Sequence, residues 1–222
     1  MKRFALILSL VLLLPALASA GDWERILKDD GITVWRRDAK GSLVQFRGRG
    51  VVDAPLAKVM AVVVTVDRLC EWRANCVKSY QIERLAEHRL VVYYRVESPA
   101  PLVSDRDVVL KSQCELGVDK GVKCSFAATE HPKDPTPDDA VRMPTLKGYW
   151  KLVPKGPNRT EATYQVVADP GGWIPMWVAN LASKKLPFRA IAGLRDQVGK
   201  DYSAMEAKIQ ARLDAASVGG AQ

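Results

Sequence analysis

The segment from Asp169 to Leu213 limits most strongly what this chain can become. It opens Asp169-Pro-Gly-Gly-Trp-Ile-Pro175 and then runs on without a turn signal, and Phe188, Ile191, Leu194, Val198, Tyr202, Met205, Ile209 and Leu213 recur every three or four residues. That spacing is the apolar stripe of a long amphipathic helix, with Lys184, Lys185, Arg189, Arg195 and Lys200 on its solvated side. Charge this frequent excludes a bilayer span. Gly171 and Gly172 supply a turn and Pro175 suits the first helical turn, whereas Pro187 is expected to kink or divide the helix because it lacks an N–H and crowds the preceding turn.

The other end reads as an export signal. Met1-Lys2-Arg3 precedes an apolar run from Phe4 to about Leu17 and an Ala18-Ser19-Ala20 cleavage site. The reading is a signal peptide over 1–20, one domain over 21–215 and a disordered tail over 216–222. Cleavage would lower the formal charge from +8 to +6, because Lys2 and Arg3 leave with the signal. The remaining basic residues are scattered, which suits loose contact with anionic lipid and not nucleic acid. Cys70, Cys76, Cys114 and Cys124 then sit in an oxidising compartment, periplasmic or extracellular. Cys114 and Cys124 flank a Gly117-Val-Asp-Lys-Gly121 turn, which fits a cross-strand disulfide and leaves Cys70 to pair with Cys76 across a short loop carrying Trp72. Free buried thiols are the alternative. Zinc fits poorly, since neither spacing is C-x-x-C and His88 and His131 lie elsewhere.

Between these ends the pattern gives a short helix over 23–28, strands over 32–36 and 43–52, and helices starting near Pro55 and Val66. Strands follow over 80–85, 90–96, 106–116, 122–129, 143–153 and 160–167. A Pro-rich loop over 130–140 is the candidate gate. Helices segregated to one face of an antiparallel sheet make the chain α+β. One helix cannot cover the concave face of a strongly curved sheet, so the space between must hold large side chains or a ligand.

Several short motifs follow one another along the chain: Gly31-Ile-Thr-Val-Trp35, Asp67-Arg68-x-x-x-Trp72, Pro99-Ala-Pro-Leu-Val-Ser-Asp-Arg106-Asp107, Val141-Arg142, Trp150-x-x-x-Pro154 and Asp169-Pro-Gly-Gly-Trp-Ile-Pro175 with Asn180. These and the order of elements resemble the START (steroidogenic-acute-regulatory-related lipid-transfer) domain family of the helix-grip superfamily. The resemblance implies a sheet of about nine strands gripping the C-terminal helix around an apolar tunnel that binds and carries one lipid. It also marks a departure. Sterol-carrying relatives place an interior acid and an interior arginine where this chain has Arg95 and Ser112, so that ion pair is absent. Arg95, on the face set by Val91 and Tyr93, is therefore a candidate partner for an acidic headgroup or carboxylate, the alternative being a rim arginine snorkelling to water or paired with Glu97 or Asp107.

The candidate ligand-binding set is Tyr93, Arg95, Leu110, Ser112, Phe126, Tyr164, Trp173, Trp177, Leu181, Phe188 and Ile191. Shielding one acyl chain is worth on the order of 10 kcal/mol at about 0.8 kcal/mol per methylene, so a carrier needs apolar area and no catalytic group. No G-x-S-x-G, no His paired with Cys or Ser, and no metal spacing is present. Tyr93, Tyr164 and Arg95 could at most polarise a carbonyl. The expectation is a monomeric lipid carrier with no cofactor, in transient contact with membrane surfaces. The alternatives are a helix-grip cyclase or hydrolase acting on a hydrophobic substrate, or an adaptor whose Trp173 and Trp177 dock a membrane transporter or bilayer.

Overall fold

A computed structural model describes residues 22–39, 42–98, 103–118, 121–134 and 136–219. The expected signal peptide, 1–20, and the Pro99-Ala-Pro101 segment lie outside these.

The frame is a ten-stranded, almost wholly antiparallel sheet. Its strands are β1 (Glu24–Asp29), β2 (Ile32–Asp38), β3 (Val44–Val52), β4 (Cys76–Ala86), β5 (Arg89–Val96), β6 (Asp105–Val118), β7 (Gly121–Thr129), β8 (Ala140–Arg142), β9 (Thr145–Pro154) and β10 (Thr160–Asp169). They lie in the order β1-β2-β3-β10-β9-β7-β6-β5-β4, with the short β8 running parallel to the start of β6. One set of side chains from the central strands forms the core: Phe46 and Val52 from β3, Trp150 and Leu152 from β9, Tyr164 and Val166 from β10.

Two expectations fail here. The segment 23–28 is strand β1, because Trp23 is held under the guanidinium groups of Arg37 and Arg47, at 4.6 and 3.9 Å, and the segment pairs with β2. The long C-terminal helix is three helices: α2 (Met176–Ser183), α3 (Leu186–Gln197) and α4 (Ser203–Gly219). The first break is the expected one, with Pro187 in the first turn of α3 dividing the helix. Gly199 lies in the second, which the unbroken apolar stripe concealed.

Helix α3 lies on β3 and β10, and it can do so because two glycines leave room. A Cβ on Gly48 would stand 2.7 Å from that of Pro187, and one on Gly50 would stand 3.1 Å from the side chain of Ile191. Helix α1 (Leu56–Val64), buried along Ala57, Val59, Met60, Val62 and Val63, packs against α4 and β9.

The corner between α3 and α4 is fastened to a 3-10 helix, Val66–Glu71. Arg68 chelates Glu71 at 2.6 and 2.8 Å, donates to the Asp201 carbonyl at 2.7 Å and stacks over the Tyr202 ring at 4.1 Å. Gln197 donates to Glu71 at 2.6 Å. These bonds, the Arg68 pair first, hold the Glu71 carboxyl down at about 2, against an ordinary value of 4.5. A depressed folded value stabilises the fold above the unfolded value, and that stabilisation is lost as the pH falls from 4.5 towards 2. Urea midpoints of the wild type should therefore fall more over this window than those of Glu71→Gln. The effect is modest because Glu71 lies at the surface; parallel titrations would show that the corner draws nothing from this charge.

Candidate functional site

The sheet and its helices do not meet everywhere. One cavity of about 540 Å³ lies between α1 and α4 on one side and β5, β6, β7 and β9 on the other. A second, of about 780 Å³, lies under α2 and the start of α3, against the 170–175 turn and the adjoining ends of β5 and β6. Arg73, Tyr94, Leu146 and Tyr164 line both, so one cluster of side chains stands at the junction of two lobes. Each volume falls within the range of about 300–1,000 Å³ usual for small-molecule sites.

Strand alternation supplies the first lobe. Leu90, Val92 and Tyr94 face inward from β5, Leu110, Ser112 and Cys114 from β6, and Cys124 and Phe126 from β7. Cys114 and Cys124 are cross-strand partners joined by a disulfide, which is itself part of this wall. At the junction Trp150 stands 4.5 Å from Tyr164 and 6.0 Å from Trp72, with Phe126 6.0 Å from Tyr164 on the other side.

Trp72 and Arg73 belong to the short loop closed by the second disulfide, Cys70–Cys76. The loop lies tight against α3: a Cβ on Gly193 would stand 2.4 Å from the Trp72 carbonyl oxygen. Arg73 donates to the Tyr164 hydroxyl at 2.9 Å and lies 4.7 Å over the ring of Tyr164. By area Arg73 is half-buried, but it lines both lobes, so the surface left open faces the cavity while protein surrounds the guanidinium. Burial by itself lowers its proton affinity; Tyr164 and Tyr94 outweigh that and hold it above the ordinary arginine value. A full positive charge therefore stands at the junction. Among the described residues no carboxylate pairs with it, and its Nη1 and the indole Nε1 of Trp72 have no hydrogen-bond partner.

The second lobe is bounded by a turn that Arg106 helps to fix. Arg106 points to the concave side, 6% exposed, and donates to the carbonyls of Pro170 and Gly171 at 3.3 and 3.5 Å and to that of Ser104. Burial lowers its pKa. Gly171 and Gly172 both have positive φ, +65° and +70°, and the Gly171 N–H donates to the Asp169 carboxylate at 2.9 Å. Asn180 of α2 then ties the helix to the β2–β3 connection through the Ser42 carbonyl and the Val44 N–H.

Of the expected site residues, Leu110, Ser112, Phe126 and Tyr164 line the first lobe, while Trp173, Leu181 and again Tyr164 line the second. Trp177 does not reach either; it is 71% exposed on α2. Ile191 is fully buried against Gly50, and Phe188 packs on the core without lining a lobe. Tyr93 and Arg95 are on the wrong side. With Val91 they face the convex surface, where Arg95 pairs with Asp105 at 2.7 Å and Asp139 at 3.0 Å. Their shared face follows from alternation, but nothing in alternation says which face is hollow. Trp72, Arg73, Tyr94, Arg106 and Leu146 were not among the expected residues.

The 130–140 loop also lies on the convex face, and so is not the gate. Tyr80 donates to Asp134 at 2.5 Å, His131 bonds Glu83 at 2.9 Å, and Arg142, just past the loop, grips Asp107 at 2.9 and 2.7 Å. No described residue of the loop lines either lobe.

The same frame recurs in known proteins. The START domain family model matches residues 5–199. An uncharacterized protein of Pseudomonas aeruginosa is 34% identical over 188 residues, covering 82% of this chain and 90% of that protein. The phosphatidylcholine transfer protein of Rattus norvegicus is 28% identical over 176 residues, 77% of this chain and 80% of the relative. Among solved structures, a STAR-related lipid transfer protein fragment from Xanthomonas axonopodis is similar with a TM-score of 0.73 at 29% identity, over 80% of this chain and 99% of that one.

Proposed function

The chain belongs to the START domain family, and from that premise we propose that it binds one lipid or similar amphiphile in the two-lobed cavity and carries it between surfaces. The observation that supports this is the pair of lobes of about 540 and 780 Å³, walled chiefly by apolar side chains and meeting at one cluster. Relatives whose names describe lipid transfer favour the same reading. Nothing in the cavity requires a chemical step, and the protein is proposed to act as a carrier rather than an enzyme. Two disulfides suit an oxidising compartment, and with the apolar N-terminus they support export to the periplasm or beyond.

The mouth of the second lobe is the proposed point of membrane contact. Trp173 and Leu181 line the lobe yet are 75% and 57% exposed, and Trp177 is exposed beside them. Lys184, Lys185 and Arg189 follow, all exposed, and the sequence from 170 to 195 holds no acidic residue. Indole rings ringed by cations suit an anionic bilayer surface.

Filling the first lobe tests the reading directly. Ser112→Trp adds an indole to a position whose present side chain leaves the lobe open. The variant should keep the circular dichroism spectrum of the wild type while lipid recovered by solvent extraction and mass spectrometry falls at least about tenfold, since the lost contact area is worth more than 1.4 kcal/mol. Undiminished lipid in a folded Ser112→Trp protein would show that cargo lies elsewhere.

A further inference from the structure

We infer that the junction of the two lobes is an anion site, and that the cargo is an amphiphile whose phosphate or carboxylate is held there by Arg73 and the indole N–H of Trp72. This rests on the carrier reading of the same cavity and adds the chemical class of its cargo.

Two observations carry it. Trp72 is 92% buried, as its 8% exposure shows, and its Nε1 has no acceptor; the neighbouring Nη1 of Arg73 also has none. Buried donors are normally satisfied, because each one left unmade costs about 1–3 kcal/mol. Two orphans on consecutive residues of one disulfide-closed loop, both residues lining the same lobe, are donors waiting for an acceptor. Arg95 and Arg142 on the other face of the sheet find carboxylates, and Arg106 is taken up by backbone carbonyls. Arg73 finds two tyrosines, which leave its charge uncompensated.

The second observation is the sign of the surroundings. Lys208 and Arg212 line the first lobe, where the carboxylate of Glu87 is taken up by Arg212. Arg106, Lys185 and Arg189 line the second lobe against Glu97. Both lobes thus favour an anion on its way to the junction. The walls beyond the cluster are apolar on both sides, so acyl or ring portions of the cargo extend from the anion into the lobes.

The test uses the full chain incubated with vesicles of equimolar phosphatidylcholine, phosphatidic acid, oleate and diacylglycerol, followed by re-isolation and mass spectrometry of the bound lipid. The wild type should be enriched in the anion-bearing lipids over diacylglycerol by about tenfold to hundredfold, the worth of one buried charge-assisted bond. Phosphate-bearing lipids and oleate are separate arms and show which anion is preferred. Arg73→Met should lose the enrichment while still taking diacylglycerol; Arg73→Lys should recover part of it, and Trp72→Phe should lose a few-fold. A wild type that takes all four lipids alike, or an Arg73→Met variant that keeps the preference, overturns the anion site and leaves the carrier reading standing. A wild type that takes none of the four overturns both.

Discussion

Asp107→Ala is expected to cost about 3–5 kcal/mol of folding stability, the usual penalty for stripping one member from a buried ion pair. The side chain of Asp107 is fully buried on the convex face and receives two bonds from Arg142. Tyr93 leans on the same carboxylate; burial first, and then Asp107, push its phenol up to about 12. Without Asp107, Arg142 keeps its charge in a largely enclosed place and releases the 130–142 segment that it fastens to the sheet. Such a loss is a large share of the roughly 5–15 kcal/mol that a domain holds. Arg142 and Asp107 replaced together by Met and Leu should lose far less, because no charge is then stranded. Chemical denaturation of both variants decides it: a double variant as unstable as the single one would mean that the pair is not what pins the segment.

Removing the Cys70–Cys76 disulfide should alter cargo handling more than its stability cost suggests. Chain entropy gives about 2 kcal/mol for a closed loop this short and about 3 kcal/mol for the larger one of Cys114–Cys124. The serine pair at 70 and 76 and the serine pair at 114 and 124 should therefore unfold at broadly similar denaturant concentrations. Only the first loosens Trp72 and Arg73, and it should speed release of bound lipid on the order of tenfold, as expected when one charge-assisted contact is no longer held in place. Exchange of a fluorescent fatty acid, timed for both double variants, separates the two effects. Equal release rates would mean that the smaller loop positions nothing.

The sheet was largely readable in the sequence because β-branched and aromatic runs between turn signals need no tertiary information. The strands after Ser79 and the helices near Pro55 and Val66 follow that rule. Sidedness was less readable. Tyr93 and Arg95 share a face with Val91, but the Tyr80, Val91 and Val109 cluster under the 130–142 segment makes a second, smaller core on the convex side, and an apolar alternation looks the same whichever face is hollow. Strand β1 was hidden because its apolar residues carry no clear period and its place depends on two arginines stacking on Trp23. The Trp72-Arg73 pair was hidden for a different reason: it lies in a loop, where neither a period of two nor one of 3.6 assigns a direction, and only the approach of α3 at Gly193 turns it inward.

The pairing of β3 with β10 has a consequence for how the molecule is made. These strands lie side by side from Val52↔Thr160 to Gln45↔Val167, and the Thr160 hydroxyl bonds the Ala54 carbonyl 106 residues away. A nascent chain emerging from the ribosome thus presents β1 to β3 long before their partner exists, with one bare edge open to any other strand. The central seam closes only after most of the polypeptide has appeared, which favours slow, all-or-none assembly over stepwise growth from the N-terminus. Chains cut short before residue 160 are accordingly expected to aggregate rather than fold into a smaller version of the protein.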